Sequence, residues 1–304
     1  MDNKKGLLFV LGTALISGVS IFINKFGVQS IDSSLFTGAK NIVVAILLFS
    51  LILLAKDFKK IKKLARKDYA KLFLVGLVGG SIPFLLFFRG LQLTSASQGS
   101  FIQKTMFVWA GILALIFLKE KLSKGVVIGA ICLLAGNFLL LKLNHFVFAS
   151  GDLLILAATL LWSVETIISK QALKTMDGKV VALGRMFFGS LIILAFLAAT
   201  NKLSLITTIS SSQMIWILIT SAFLLGYTIT WYSGLKELNV TVATSILLIG
   251  SVITTTLELA FSKLMLTAQQ SIGIILLILG VASVIGFTSV LKKFQLIFSI
   301  AKAR

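Results

Sequence analysis

"SIFINKFGVQSIDSSLFTGAKN", residues 20–41, decides the fold because the chain repeats it further along. Residues 165–186 read "ETIISKQALKTMDGKVVALGRM". At a constant shift of 145 positions the charged residues of the two stretches coincide: Lys25 with Lys170, Asp32 with Asp177, and Lys40 with Arg185. The same shift aligns residues 93–102 with residues 238–247. We therefore predict an internal duplication, with one repeat at residues 1–145 and the other at residues 146–291.

Composition places the chain in a membrane. Its 304 residues are 58% hydrophobic and only 13% charged, whereas a typical soluble domain is about a quarter charged. A formal net charge of +19 would suit a nucleic-acid-binding protein. In so apolar a chain it indicates instead basic loops at an anionic membrane surface. We therefore predict a multi-pass membrane protein that binds no nucleic acid.

Ten segments are long and apolar enough to cross a bilayer, which takes a helix of about 20 residues. Numbered as spans 1 to 10, they are 6–27, 34–55, 72–91, 94–118, 125–143, 152–173, 179–200, 213–235, 240–262 and 270–291. Each repeat holds five spans, and because five is odd, the second repeat enters the membrane from the opposite side. The predicted fold class is an all-α integral membrane protein of ten transmembrane helices in two inverted five-helix repeats.

The Lys and Arg residues of the short loops indicate the orientation. Residues 56–71 carry eight of them and residues 119–124 carry three, while the loops on the other side are poor in charge, including the loop with Lys142 and His145. An excess of positive charge marks the cytoplasmic side, so we expect both termini in the cytoplasm. We expect these loops, and a basic amphipathic tail at residues 292–304, to contact anionic lipid headgroups.

The first basic loop also carries apolar residues at helical spacing, which predicts a short surface helix. These residues are Phe58, Ile61, Leu64, Ala65 and Tyr69. The alternative is a solvated run of charge that only fixes the topology.

Residues 90–141 read "GLQLTSASQGSFIQKTMFVWAGILALIFLKEKLSKGVVIGAICLLAGNFLLL". A helix start rich in Ser and Ala leads into an apolar run, a turn at Glu120 and a Gly-rich helix. With ten spans in two inverted halves, this stretch resembles the drug/metabolite transporter superfamily, in particular its EamA-like members. The resemblance covers essentially the whole chain. It departs at Lys104, where the family often has a proline, and at Met265, where the repeat places the counterpart of Glu120.

The resemblance implies a transporter whose substrate cavity is lined mainly by spans 4, 6, 8 and 9. We expect it in the plasma membrane of a prokaryotic cell. Because the sequence shows no ATPase domain, transport would be secondary, and two inverted halves favour alternating access.

Ionisable side chains inside the spans are the first candidates for function, because a charge in the hydrocarbon costs about 2.5–3.5 kcal/mol on insertion scales. Lys104 and Glu165 lie near the middle of spans 4 and 6. Lys40 and Arg185, which are repeat mates, lie about two turns into their spans from opposite faces. We expect Glu165 and Glu258 to be candidates for coupling to an ion, and proton coupling is left open.

Three other basic residues, Lys25, Arg89 and Lys170, lie near span ends, where we expect their side chains to extend to lipid headgroups.

Small and polar residues form helical stripes on four spans, and we do not expect such faces to contact lipid. The stripes are Ser97, Ser100, Lys104 and Gly111; Ala158, Trp162, Glu165 and Ser169; Tyr227, Thr230, Trp231 and Gly234; and Thr244, Ser251, Thr255 and Glu258. They predict a wet cavity between the halves. We expect the substrate to contact Lys104, Glu165, Trp162, Lys40, Arg185, Ser100, Gln103, Tyr227, Trp231 and Tyr232. The alternative is a purely structural Lys104–Glu165 ion pair.

Six basic groups against two acidic ones favour a substrate with a carboxylate or phosphate. An amino acid, an organic acid or a nucleotide-linked metabolite would fit, with rings such as Trp109 stacking on its flat part. The alternatives are an exporter of drugs or other lipophilic compounds, and a lipid scramblase or channel with the same fold.

The sequence contains one histidine, His145, and one cysteine, Cys132. We find no nucleophile with a neighbouring base and no set of metal ligands. We therefore predict that the protein is not an enzyme and uses no metal or other cofactor.

Overall fold

A computed structural model describes residues 3–121, 124–140 and 149–302, and the side chains of residues 4–286 within those ranges. The regular secondary structure of this part of the chain is all helical, and it contains no strand. Nine of its helices are long and apolar enough to cross a membrane, and a tenth, Lys124–Leu139, is shorter and also apolar. Lys142 and His145 lie outside the described residues.

The ten predicted spans each coincide with helical structure. The spans are Asn3–Gln29, Ser33–Leu54, Arg66–Leu93, Ala96–Phe117, Lys124–Leu139, Ser150–Ala172, Gly178–Ala199, Ser211–Glu237, Val240–Phe261 and Ala268–Lys302. The predicted fold class is therefore confirmed. Span 10 continues as one helix to Lys302, so the backbone shows no break before the proposed tail, and the amphipathic face of that tail stays a prediction.

Two short helices occupy equivalent connectors of the two halves. Phe58–Lys62 follows span 2, and the 3₁₀ helix Leu203–Thr208 follows span 7 at the repeat shift of 145. The surface helix predicted over residues 58–69 is correct only for its first turn. The chain leaves the helix at Lys63 and span 3 begins at Arg66, six residues earlier than predicted.

Three spans are interrupted. Span 3 contains a π-helical segment, Gly76–Ser81, between the α-helices Arg66–Val75 and Ile82–Leu93. Span 4 breaks between Lys104 and Met106, and span 9 breaks at nearly the equivalent place, between Ile246 and Ile249. Interruptions of this kind are tolerated at membrane depth where protein surrounds the backbone.

The largest helix contacts join one half to the other, and they come in pairs that the repeat relates. Span 1 packs on span 8 as span 6 packs on span 3, and span 1 packs on span 9 as span 6 packs on span 4. Spans 2 and 7, 4 and 9, and 5 and 10 pack on their own repeat mates. The two halves therefore interdigitate around a pseudo-twofold axis, and the centre of the protein lies between them.

Two repeat-related aspartates form ion pairs at the two ends of the bundle. Asp32, before span 2, accepts a hydrogen bond from Lys202 Nζ at 2.7 Å. Asp177, before span 7, accepts one from Lys60 Nζ at 3.2 Å. Asp32 precedes span 2 and Lys60 follows it, so the two pairs lie at opposite ends of that span. The repeat mates Asp32 and Asp177 thus face opposite sides, as an inverted duplication requires.

Lys25 and Lys170 do not extend to headgroups as predicted. Each instead binds the carboxyl end of another helix in its own repeat. Lys25 Nζ donates to the carbonyls of Leu91, Gln92 and Thr94, and Lys170 Nζ to those of Leu235, Lys236 and Leu238. The last carbonyls of a helix lack intrahelical partners and favour a nearby cation. The repeated lysines therefore fix the ends of spans 3 and 8.

Candidate functional site

A cavity with about 630 Å³ of empty space lies between the two halves. Spans 1 to 4 and 6 to 8 line it. Its walls are Ser17, Ser20, Ile21, Asn24, Lys40, Phe84, Phe87, Phe88, Gln103, Met106, Trp162, Glu165, Thr166, Arg185, Leu224, Tyr227 and Trp231.

Most of the residues proposed from the sequence meet at this cavity. The seven that line it are Lys40, Gln103, Trp162, Glu165, Arg185, Tyr227 and Trp231. Tyr232 and Lys104 stand behind the wall, each hydrogen-bonded to a residue that lines it. Ser100 is fully buried but does not line the cavity.

Lys40 is a buried cation without a carboxylate. Its side chain is 1% exposed, and its Nζ donates to Asn24 Oδ1. The ammonium lies 4.8 Å from the ring centroid of Phe36 and 4.3 Å from that of Phe88. Within the described part of the chain, no carboxylate oxygen comes within 4.0 Å of it. Its charge is therefore held by an amide and two aromatic faces.

Arg185, the repeat mate of Lys40, is held by span 3. Its Nη2 donates to the carbonyl of Gly79 at 3.0 Å and its Nη1 to Tyr232 Oη at 3.3 Å. Trp162 Nε1 donates to the same Gly79 carbonyl at 2.9 Å. That carbonyl lies four residues before Pro83, which has no N–H to offer it. The Nε of Arg185 is buried and has no hydrogen-bond partner.

Glu165 is linked to Arg185 through a tyrosine. Its Oε1 accepts a hydrogen bond from Tyr232 Oη at 2.6 Å and another from Ser169 Oγ. Gly79 makes room for this carboxylate, because a Cβ there would lie 2.4 Å from Glu165 Cγ. The result is a buried chain of groups, guanidinium, phenol and carboxylate, on one wall of the cavity.

The structure does not form the Lys104–Glu165 ion pair considered above. Lys104 Nζ donates to Ser17 Oγ at 2.6 Å, and the lysine side chain packs against Gly250, which has no side chain to displace it. Lys104 is also the last residue of the helix Ala96–Lys104, where span 4 breaks. The Ser17 hydroxyl is therefore the hydrogen-bond partner of this buried lysine.

Glu258 and Trp109 do not reach the cavity. Glu258 accepts a hydrogen bond from the backbone N–H of Ser97 at 2.6 Å, at the start of span 4. Glu120 binds the start of span 9 in the same way, through the backbone N–H of Val240 at 2.7 Å. Glu258 thus fills the role that the repeat had assigned to Met265. Trp109 is 39% exposed on the outer surface, so it cannot stack on a substrate.

The sequence interpretation missed the contribution of spans 1 and 3. Spans 1 and 3 supply small polar residues and aromatic rings, respectively: Ser17, Ser20 and Asn24, and Phe84, Phe87 and Phe88. The repeat carried the signal, since the shift of 145 places Ser17, Ser20 and Asn24 opposite Trp162, Glu165 and Ser169. Within the described residues, no three His, Cys, Asp or Glu side chains come together to hold a metal ion.

Comparison with known proteins identifies transporters. The sequence profile of the EamA-like transporter family matches residues 4–142 and 149–286. An uncharacterized transporter of Clostridium kluyveri is 26% identical over 299 residues, 94% of each chain. The riboflavin transporter ImpX of Fusobacterium nucleatum is 26% identical over 302 residues, 93% of this chain and 99% of its own.

A solved crystal structure shares the fold, with a TM-score of 0.73 at 17% identity over 92% of this chain and 96% of its own. The relatives named above are transporters, and the family profile covers both halves of this chain. The chain is therefore a multi-pass membrane protein that belongs to the EamA-like transporter family.

Proposed function

We propose that the protein is a secondary transporter that carries a small anionic or zwitterionic metabolite through the central cavity by alternating access. The observation that carries the proposal is the charge of the cavity wall. Lys40 and Arg185 are both buried there, and Glu165 is the one carboxylate among the lining residues. Buried charges in proteins are normally paired, so an anionic group on the substrate would complete this set.

The apolar part of the substrate would contact aromatic rings. Trp162, Tyr227, Trp231 and the phenylalanines of span 3 surround the charged groups. Such walls suit a flat or ring-containing metabolite. Amino acids with aromatic side chains, aromatic organic acids and nucleotide-linked compounds meet both requirements.

A second candidate substrate class is an uncharged flat heterocycle with a hydroxylated chain. The aromatic wall would fit it, and one full-length relative is named as a riboflavin transporter. In that case Lys40 and Arg185 would donate hydrogen bonds to ring carbonyls and hydroxyls instead of meeting a full negative charge.

Alternating access is supported by the arrangement of the halves. The cavity lies at their interface, and the two repeat-related ion pairs lie toward opposite ends. Both pairs are formed in this structure, and we propose that the protein opens to one side when one pair separates while the other stays closed. On the positive-inside rule, the Lys60–Asp177 end faces the cytoplasm, as do both termini.

Counterflow into proteoliposomes tests the proposal. Vesicles with purified protein are loaded with unlabelled compound and assayed with labelled amino acids, organic acids, nucleotides and riboflavin. Saturable counterflow of an acidic or zwitterionic compound is expected. Lys40→Gln and Arg185→Gln should weaken its binding about tenfold to a hundredfold, since a charged hydrogen bond contributes about 1.5–3 kcal/mol.

Arg89→Gln is the matched control, because Arg89 is an exposed cation of span 3 that binds Gln92 at 3.0 Å. It should transport like the wild type. Flux that does not saturate would identify a channel or scramblase instead. Preference for a lipophilic cation, with no effect of either cavity variant, would identify a drug exporter and overturn the proposed substrate class.

A further inference from the structure

A second cavity lies between spans 2, 3 and 7, next to the first basic loop. It encloses about 960 Å³ of open space. Its walls include Ile46 and Phe49 of span 2, and Leu183 and Phe187 of span 7. Ile46 is 59% exposed and Phe187 is 49% exposed. The groove is therefore apolar and opens to the side of the bundle, where a membrane would supply lipid chains.

The basic loop forms the roof of this groove. Ile61 and Leu64 line the groove from above, and Tyr69 Oη donates to the carbonyl of Ile61 at 3.3 Å. Lys60 ties the roof to the start of span 7 through Asp177, at 3.2 Å. These two contacts hold the loop against spans 3 and 7.

The cations around the roof exceed their local counterions. Residues 56–71 contain eight Lys and Arg but only two Asp. Lys59, Lys63, Arg66 and Lys67 are exposed, and across the described residues no carboxylate lies within 4.0 Å of their charged nitrogens. Four cations that are unpaired within the described residues therefore belong to the same short segment as Ile61, Leu64 and Tyr69, which line the groove.

We propose that this groove binds an anionic phospholipid, with one acyl chain between spans 2 and 7 and the phosphate against the cations of the loop. The apolar walls of the groove match the acyl chain of such a lipid, and the cations of the loop match its phosphate. An apolar groove alone would accept any acyl chain, and a basic loop alone would attract any anionic surface. An apolar groove next to a basic loop favours a single molecule that has both an acyl chain and an anionic headgroup. This inference is independent of the transported substrate.

A lipid bound in the groove would stabilise the two helices that carry Lys40 and Arg185. Ala45 of the groove lies five residues after Lys40 on span 2, and Gly184 of the groove directly precedes Arg185 on span 7. A lipid wedged between these helices would hold the Lys60–Asp177 end of the protein together. We therefore expect bound lipid to raise the resistance of the protein to unfolding.

Thermal unfolding of the full chain in phosphatidylcholine nanodiscs tests the site. Phosphatidylglycerol added at low mole fraction should raise the unfolding midpoint, and extra phosphatidylcholine should not. Ile46→Trp and Leu183→Phe, which fill the groove at two different points, should remove most of that increase. Lys59→Gln combined with Lys63→Gln and Arg66→Gln should do the same.

Two controls isolate the groove from general surface effects. Ile278→Trp changes an isoleucine of span 10 that is 60% exposed, away from the groove. Lys119→Gln with Lys121→Gln and Lys124→Gln removes three charges from the same face at another loop. Both controls should keep the full increase. An equal increase in every variant would show a diffuse charge effect, and an equal response to both lipids would show no headgroup preference; either result overturns the proposal. A midpoint that rises with protein concentration instead of lipid would assign the groove to a second copy and also overturn it.

Discussion

At the scale of single residues, Pro83, the only proline of the chain, leaves one helix carbonyl available to other donors. Pro83 cannot donate to the carbonyl of Gly79, and that carbonyl accepts hydrogen bonds from Trp162 and Arg185. A residue that removes one helical hydrogen bond thereby supplies an acceptor to the wall of the cavity. The released carbonyl positions the guanidinium that we propose contacts the substrate.

Replacing Pro83 with Ala tests this positioning role. The new N–H could bond to the carbonyl of Gly79, so Arg185 would lose part of its support. We expect a higher KM for counterflow with little change in the maximal rate, and a midpoint of unfolding equal to or above that of the wild type. A lower midpoint with unchanged KM would show that Pro83 matters only for stability.

Glu165 is the residue whose charge we propose couples transport to protons. It has hydrogen-bond donors in Tyr232 and Ser169, both of which can also bond to an amide oxygen. Glu165→Gln should therefore fold and exchange substrate, while losing accumulation driven by a pH gradient. Parallel assays of counterflow and of gradient-driven uptake separate the two. Gradient-driven uptake at the wild-type level in this variant would exclude Glu165 as the coupling group.

At the scale of elements, span 3 packs on span 7 backbone against backbone. A Cβ at Gly80 would lie 2.1 Å from the carbonyl oxygen of Arg185, and a Cβ at Gly189 would lie 2.4 Å from that of Gly80. The glycines therefore permit the close approach that brings the π-helical segment to Arg185. π-helical segments often occur at functional sites.

We expect Gly80→Ala to force the two spans apart. Overpacking of a tight contact typically costs about 1–3 kcal/mol, so the unfolding midpoint should fall and transport should weaken. Gly12→Ala is the control, because its Cβ would meet only a methyl group of Thr230, at 4.0 Å, and Ala favours a helix over Gly by about 1 kcal/mol. Thermal unfolding followed by intrinsic fluorescence gives both midpoints. Equal midpoints would contradict the close-packing interpretation.

At the scale of the whole molecule, the two end pairs make alternating access testable. In a background with Cys132→Ser, cysteines replace Asp32 and Lys202, or Asp177 and Lys60, and a bifunctional maleimide joins each pair. Each cross-link alone should stop counterflow, because a transport cycle must open both ends. Each double-cysteine protein without the cross-linker is the control. Flux that continues with both cross-links formed would indicate a fixed pore.

The same pairs have a defined pH dependence. Burial raises the pKa of Asp32, but hydrogen bonds from Lys202, Ser34 and Leu35 outweigh it and hold the pKa below the ordinary 3.8. Hydrogen bonds to Asp57 and Asp177 raise the pKa of Lys60 above its ordinary 10.5. The contribution of Asp32 is therefore complete above pH 3.8 and is lost as the pH falls through its lowered value, whereas that of Lys60 is complete below pH 10.5 and is lost as the pH rises through its raised value.

Asp32 and Lys60 thus stay charged between about pH 5 and pH 9. Lys60→Gln and Lys202→Gln should lower the unfolding midpoint by a constant amount across this range, and leave the shape of the pH profile of counterflow unchanged. Thermal unfolding and counterflow measured at several pH values check this. A profile that changes shape in either variant would show that the pair titrates in the working range.

Much of the architecture could be predicted from sequence because it rests on local patterns. Ten apolar runs fix ten helices, since backbone polar groups in a bilayer must be satisfied within each segment. The shared offset of Lys25, Asp32 and Lys40 with their mates revealed the duplication, and an odd number of spans then inverted it. Four of the seven proposed residues that line the cavity belong to the predicted stripes, since polar faces avoid lipid: Trp162, Glu165, Tyr227 and Trp231. Lys40 and Arg185 were found from their charge and their depth in the span.

The partners of the charged residues could not be predicted in this way. The sequence allowed Lys104 to pair with Glu165, but the break in span 4 and the gap at Gly250 direct it to Ser17. From its position in the sequence, Glu258 is an acidic residue inside span 9. Its carboxylate nevertheless binds the start of span 4, more than a hundred residues earlier. Depth in a span follows from counting residues, whereas the direction of a side chain depends on which helix lies beside it.

The sequence by itself determined the membrane class, the ten spans, the duplication and the inversion, because hydropathy and repeat offset are properties of the chain alone. Only the tertiary structure decided that Arg185 meets the carbonyl of Gly79, that Tyr232 joins it to Glu165, and that an apolar groove opens under the basic loop. Each of these contacts joins segments from different spans. Their geometry depends on helix packing, which no local pattern encodes.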